Sequence, residues 1–273
     1  MSTIAKEIET HYQQFREADR LSEGVGELER VRTQAILARH LPGPPAVIFD
    51  VGGAAGVYAF PLAQQGYHVH LIDPVELHLE QARQRALESG VQLASITQGD
   101  ARGLDVSTAS ADAVLLFGPL YHLVARSDRL HALREARRVL KPRGTMFGAA
   151  ISHFASLIDG LSRGFFEDPD FRVIVAADLA SGQHRNPTNH AEYFTTAYFH
   201  HPEELAAEAR DAGFHDVQVL AVEGPVWSAG RFLNAWDDPA QRTSLMEFLS
   251  RIEREPSIVG ASAHLIAVGH RGD

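Results

Sequence analysis

The stretch Val47-Ile48-Phe49-Asp50-Val51-Gly52-Gly53-Ala54-Ala55-Gly56-Val57-Tyr58 constrains this chain more than any other. A short apolar, β-favouring run meets a glycine-rich turn and then a helix-compatible sequence. That order builds the first strand of an open α/β sheet, with a nucleotide-like ligand expected at its carboxyl end. Glycine in the turn lets the backbone approach a ligand that a Cβ would push away. The spacing is Gly52-Gly53-x-x-Gly56 rather than the G-x-G-x-x-G of a dinucleotide site, and Asp50 has no required place in that fingerprint. Ala54 stands where a second loop glycine would be. Alanine resists some positive-φ conformations, so the Gly-Gly pair offers Gly53 as the flexible position instead.

A strand–helix rhythm continues on both sides of this turn. Helical spacing over 3–20 and 26–40 precedes the proline cluster at 42–45. Strands are predicted at 46–51, 69–73, 91–97, 113–117 and 145–151, with helices after Gly56, over 75–89 and over 127–140 between them. The alternation is lost over 152–201, a stretch rich in aromatic and histidine residues. It resumes with a helix from Pro202 to Gly213, β-like runs at 217–222 and 264–268, and a helical stretch at 239–254. The expected architecture is α/β: a Rossmann-like, seven-stranded, mostly parallel sheet with helices on both faces. An N-terminal helical layer (1–45) precedes the core (46–151), a cap (152–201) is inserted after strand 5, and 202–273 completes the core.

Composition narrows the function. Lys+Arg 25 against Asp+Glu 35 leaves a net charge of −10, the wrong sign for a phosphate-backbone partner. No basic run suited to nucleic acid or an anionic membrane occurs. The absence of cysteine excludes disulfides, thiolate zinc sites and a cysteine nucleophile. The opening residues lack an apolar signal region, and no long uncharged apolar span follows, so a soluble cytoplasmic protein is expected, monomeric or homodimeric.

Asp50-x-Gly52-Gly53-x-x-Gly56 resembles motif I of the class I S-adenosylmethionine (SAM) methyltransferases. Three further matches follow in family order: Gly99-Asp100-Ala101 after strand 3, Phe117-Gly118-Pro119-Leu120-Tyr121-His122 after strand 4, and Arg138-Val139-Leu140-Lys141-Pro142-x-Gly144, where Arg143 replaces a glycine. The resemblance implies an antiparallel last strand and SAM as cofactor, with S-adenosylhomocysteine as product. It implies cofactor contacts from Asp50, Gly52, Gly53, Gly56, Pro74, Ala101 and Phe117. Asp73, ending strand 2, is expected to accept both ribose hydroxyls. Asp100 is expected near the adenine amino group. On the N-terminal helix, Tyr12 and Arg20 are candidates for the cofactor's methionine end, Arg20 as a carboxylate fork or as a surface charge paired with neighbouring acids.

Methyl transfer from a sulfonium needs alignment and desolvation first, and a base only when the acceptor carries a proton. His122, just past strand 4, is the best polar candidate, as base, substrate contact or cap. His184 and His201 in the cap could approach an aromatic acceptor or face water. The cap histidines match no metal-ligand spacing, so no metal is expected. The leading reading is methyl transfer to an O, N, C or S atom of a small-molecule acceptor. A SAM-binding protein of the same fold with different chemistry, or a nicotinamide-dependent oxidoreductase, remains the alternative.

Overall fold

The computed structural model describes residues 7, 8, 11, 20–188, 190–230 and 232–273. Tyr12 and most of the helix expected over 3–20 lie outside the described residues. The main sheet runs in the order β3 (Ser95–Gln98), β2 (His68–Asp73), β1 (Val47–Val51), β4 (Ala111–Leu116), β5 (Leu140–Ser152), β9 (His264–Arg271), β8 (Phe214–Ala221). The first five strands pair in parallel, and β9 is antiparallel to both β5 and β8. All the parallel strands therefore end on one edge, the edge where the order switches from β1 to β4.

Near-continuous apolar strands produce a sheet buried on both faces, and side-chain alternation divides them between two layers. Phe49, Val51, Val114 and Leu116 face one layer with Leu130 and Leu133 of α5 (Arg126–Val139) and Leu205 of α8 (Pro202–Asp211). Ile48, Ala113 and Leu115 face the other, against Ile36 of α1 (Gly24–His40), Phe60 of α2 (Ala59–Gln64) and Leu79 of α3 (Glu76–Ser89). Each such leucine or isoleucine, fully buried, contributes roughly 1.5–3 kcal/mol. At the chain's far end, α9 (Phe232–Asp237) and α10 (Pro239–Ile252) bring Phe232, Trp236 and Leu249 onto Leu28 of α1.

The cap is more regular than the sequence reading allowed. It holds two helices, α6 (Ala155–Arg163) and α7 (Pro169–Ser181), and two short strands, β6 (Gln183–His184) and β7 (Ala197–His200). The signals for α7 were local: Asp168 caps it by accepting from Asp170 N, Pro169 opens it, and left-handed Gly182 ends it. Phe171, Ile174, Val175 and Asp178 are its buried face at helical spacing. β5 runs on past the end of β4, and its last residues, Ile151 and Ser152, pair in parallel with β7. The cap is thus anchored on the central strand itself. Seven strands form the expected sheet, and β6 and β7 bring the total to nine among the described residues. β3 begins at Ser95 rather than at 91, because left-handed Gly90 and an open 91–94 segment carry the chain to the sheet edge first.

Buried charge ties cap to core. Arg129 of α5 donates to both Glu208 oxygens (2.9 and 2.7 Å) and stacks over the Tyr198 ring, 3.8 Å from its centre. Burial raises the Glu208 carboxyl, but His200 and Arg129 outweigh it and hold it at about 2.

Two non-glycine residues occupy left-handed backbone where the family pattern has glycine: Ala54 (φ 46°) and Arg143 (φ 63°). The flexible position therefore did not move to Gly53, whose φ is not positive. Gly53 is held by space instead: a Cβ there would lie 2.7 Å from Asp50 Oδ2. Arg143 lies at the surface, its only charge partner among the described residues the equally exposed Asp273. Arg143→Gly should raise stability by about 0.5–1 kcal/mol, since relief of left-handed strain exceeds the loss of a solvated ion pair. An unchanged or lower urea midpoint would remove strain as a factor at this irregularity of β5.

Candidate active site

One cavity of about 740 Å³ opens at the carboxyl edge of the parallel strands and extends under the cap. Its strand-end half is lined by Gly52, Gly53, Asp73, Asp100 and Phe117, and its cap half by Tyr121, His122, Phe194 and Phe199.

The loop after β1 is locked by backbone and carboxylate together. Gly52 N donates to Ile72 O at 2.8 Å and Gly56 N to Gly53 O at 2.8 Å. A Cβ on Gly52 would meet Pro119 Cδ at 2.7 Å, and one on Gly56 would meet the Phe60 ring at 2.7 Å. Gly56 does not border the cavity; its role is to let α2 pack against the strand. Asp73 accepts from Ala54 N (2.9 Å), Val75 N (2.9 Å) and His78 Nδ1 (3.0 Å). A carboxylate offers about four acceptor positions, so about one remains for a ribose hydroxyl unless His78 yields. Pro74 and Ala101 border the same space.

Asp50 departs from the expectation of cofactor contact. Its side chain is fully buried behind Gly53 and does not border the cavity. Neither oxygen meets a donor in hydrogen-bond geometry among the described residues. Burial, reinforced by the charge of Asp73, pushes its carboxyl up to about 7, with the nearby Ala59 N–H offsetting part of the effect. Asp100 does reach the cavity, but Arg102 occupies it through the backbone N–H (2.9 Å) and the guanidinium (2.6 Å from Nη2 to Oδ2). The Arg102 hydrogen bond, working against burial, lowers its carboxyl below the usual range. Arg20 also borders the cavity and pairs with Glu29 through both guanidinium nitrogens, at 2.5 and 3.0 Å; the neighbouring acids that the sequence suggested as partners lie outside the described residues.

The three candidate histidines separate. His122, at the end of α4 (Pro119–His122), borders the cavity; its Nδ1 lies 3.3 Å from Thr196 O and its ring stacks on Phe194. His184 borders it too, but both ring nitrogens face acceptors at 2.8 Å, Asp178 Oδ2 and Tyr193 O. Neither nitrogen is left for proton transfer, so His184 staples the cap. His201 lies outside this cavity: it caps α8 in a capping box with Glu204 and stacks on His153, with ring centres 3.8 Å apart. It is a helix cap and not an active-site group.

The sequence reading missed a polar cluster on the cavity wall. His264, which opens β9, places Nδ1 2.5 Å from Glu223 Oε1 and 3.4 Å from Glu29 Oε2. These residues lie far apart in sequence, and only closure of β9 onto β5 brings them together.

Asp50 supplies a stability test. Its folded-state carboxyl binds a proton more tightly than the unfolded one, so the contribution is complete below about pH 4 and is lost as pH rises to about 7. Asp50→Asn, neutral throughout, should flatten this slope and melt above the wild type at pH 8, with the difference vanishing near pH 4. Parallel melting curves across that range would disprove the assignment.

Residues 48–144 match the family model described as a methyltransferase domain. Among curated relatives, the ubiquinone biosynthesis O-methyltransferase of Xylella fastidiosa is 26% identical over 196 residues, 70% of each chain. The enzyme of the same name from Methylocella silvestris is 33% identical over 105 residues, 38% of this chain and 40% of the relative. Among solved structures, the CcbJ methyltransferase of Streptomyces caelestis superposes with a TM-score of 0.57 at 17% identity, covering 100% of this chain and 99% of that one, a likeness of fold. The strand order, the glycine turn at the end of β1 and the match over residues 48–144 agree: the core of the chain resembles the methyltransferase domain of the class I SAM-dependent methyltransferases.

Proposed function

We propose that the protein methylates a hydroxyl oxygen of a small, largely aromatic acceptor enclosed beneath the cap. The observation that carries this reading is the continuity of one cavity from Gly52 and Asp73 to His122 and Phe194. A volume of about 740 Å³ suits a cofactor with one small acceptor and leaves no groove for a polymer. The net charge of −10 argues in the same direction against nucleic acid. The named activity of the two curated relatives supports oxygen as the acceptor atom.

SAM, when bound, supplies a methyl group activated by an adjacent sulfonium. The chain's own residues do the rest. The Gly52–Gly53 backbone lets the ligand lie close to the β1 turn, and Asp73 offers its remaining acceptor position beside it. Tyr121, Phe194 and Phe199 form apolar walls that exclude water from the reacting atoms. His122, whose Nδ1 lies 3.3 Å from the Thr196 carbonyl, borders the cavity and is the group assigned to take the acceptor's hydroxyl proton. No helix among the described residues is long and apolar enough to cross a membrane.

Two variants separate binding from turnover. Asp73→Ala should weaken SAM affinity at least about tenfold by calorimetry, with a smaller change in kcat at saturating cofactor; equal affinity would remove Asp73 from the cofactor site. His122→Gln should lower kcat with methyl-labelled SAM and a phenolic acceptor by about 10²-fold, with the melting temperature little changed. Undiminished turnover would return His122 to a packing role.

A further inference from the structure

The cluster on the cap side of the cavity has one polar atom unaccounted for. Arg20 covers both oxygens of Glu29 (2.5 and 3.0 Å). Glu223 gives Oε1 to His264 Nδ1 at 2.5 Å and Oε2 to Ser262 Oγ (2.7 Å) and His264 N (3.0 Å). Every carboxylate oxygen therefore has a donor. Two carboxylates face a guanidinium and an imidazole, so no oxygen is left without a partner to attract a cation. A divalent ion bound by Glu29, Glu223 and His264 would first have to strip these donors away. Both acidic contacts of His264 lie on Nδ1; Nε2 has no partner among the described residues, and the ring borders the cavity.

A second, independent atom faces the same space. Ser156, on α6, lines the cavity, is 5% exposed, and its Oγ has no hydrogen-bond partner among the described residues. One turn along the same helix, Asp159 also lines the cavity and lies within electrostatic reach of His264, Arg20 and Glu223. Fixed donors without partners on a cavity wall are costly unless a ligand or water satisfies them.

Building on the hydroxyl-acceptor reading, we propose that His264 Nε2–H and Ser156 Oγ form an acceptor-anchoring subsite that holds an oxygen atom of a phenolic substrate. Glu223 and Glu29 orient the ring from Nδ1, as a carboxylate orients an imidazole in hydrolase triads, so Nε2 is held in place before the ligand arrives. The charges facing the ring are Glu29, Glu223, Arg20 and Asp159. Burial disfavours the imidazolium, but the two glutamates outweigh it and raise the ring to about 9, which keeps Nε2 a donor at neutral pH. The aromatic body of such an acceptor would lie along Tyr121, Phe171 and Phe194 on the same cavity wall. His264 thus selects the acceptor rather than the cofactor.

The test uses the whole chain with ¹⁵N-labelled histidine, titrated with phenol, catechol and, as control, toluene, with and without S-adenosylhomocysteine. The His264 ring nitrogens, assigned by their loss in His264→Gln, should shift with phenol or catechol and not with toluene. His264→Gln should lower affinity for the shifting probe at least tenfold, and Ser156→Ala should lower it more modestly. Both variants should bind S-adenosylhomocysteine within twofold of the wild type. No His264 shift with either phenol, equal affinity in His264→Gln, or binding that requires added Mg²⁺ and is lost on chelation would each overturn the subsite. Failure to bind S-adenosylhomocysteine would instead count against the methyltransferase reading, while the titration without it still reports on His264.

Discussion

The Asp73 carboxylate is the point on which the cofactor half of the cavity depends. It sits at the end of β2, and its three acceptor contacts draw in the Ala54 amide across the sheet edge, the Val75 amide behind it and the His78 ring from α3. Without that tie, nothing in the local sequence would hold Ala54 at φ 46°, a conformation that costs an L-residue free energy. The carboxylate thus serves the loop before it serves any ligand. That explains how a family position usually filled by glycine can carry alanine here and keep the same backbone path.

Charge elsewhere follows one rule: each buried ion is matched. Arg129 with Glu208 and Arg32 with Glu253 are short pairs between elements distant in sequence. Such pairs add little net stability once desolvation is counted, but leaving one partner alone is expensive, so they specify which helix meets which strand. Asp50 departs from this pattern. It is buried without a matching cation and responds by holding its proton more tightly. The lack of space above it requires glycine at 53, so the buried acid and the glycine turn are one device.

The sheet was legible because its strands are apolar on both faces and are punctuated by Gly56, Gly90 and Gly213. Strand limits moved by up to five residues at the edges, where pairing and not pattern decides where a strand begins. The cap was harder to read. The capped, periodic start of α7 was present in the residues, but β6 and β7 are held by partners the local sequence does not specify. The glycine turn and the acids at the ends of β2 and β3 did converge on one cavity. His184 and His201 did not join them as reacting groups, because composition reports that histidines are near one another and not which nitrogen each has left.

By itself, the sequence determined the α/β order, the position of the ligand-binding turn and the acids that end the strands. These rest on local periodicity and glycine chemistry. Folding in three dimensions decided which way the Asp50 side chain turns behind the loop, and tertiary structure alone decided that Glu29, Glu223 and His264 share one wall. That last relation depends on β9 closing antiparallel onto β5. Contacts between residues about two hundred positions apart leave no periodic trace in the chain that makes them.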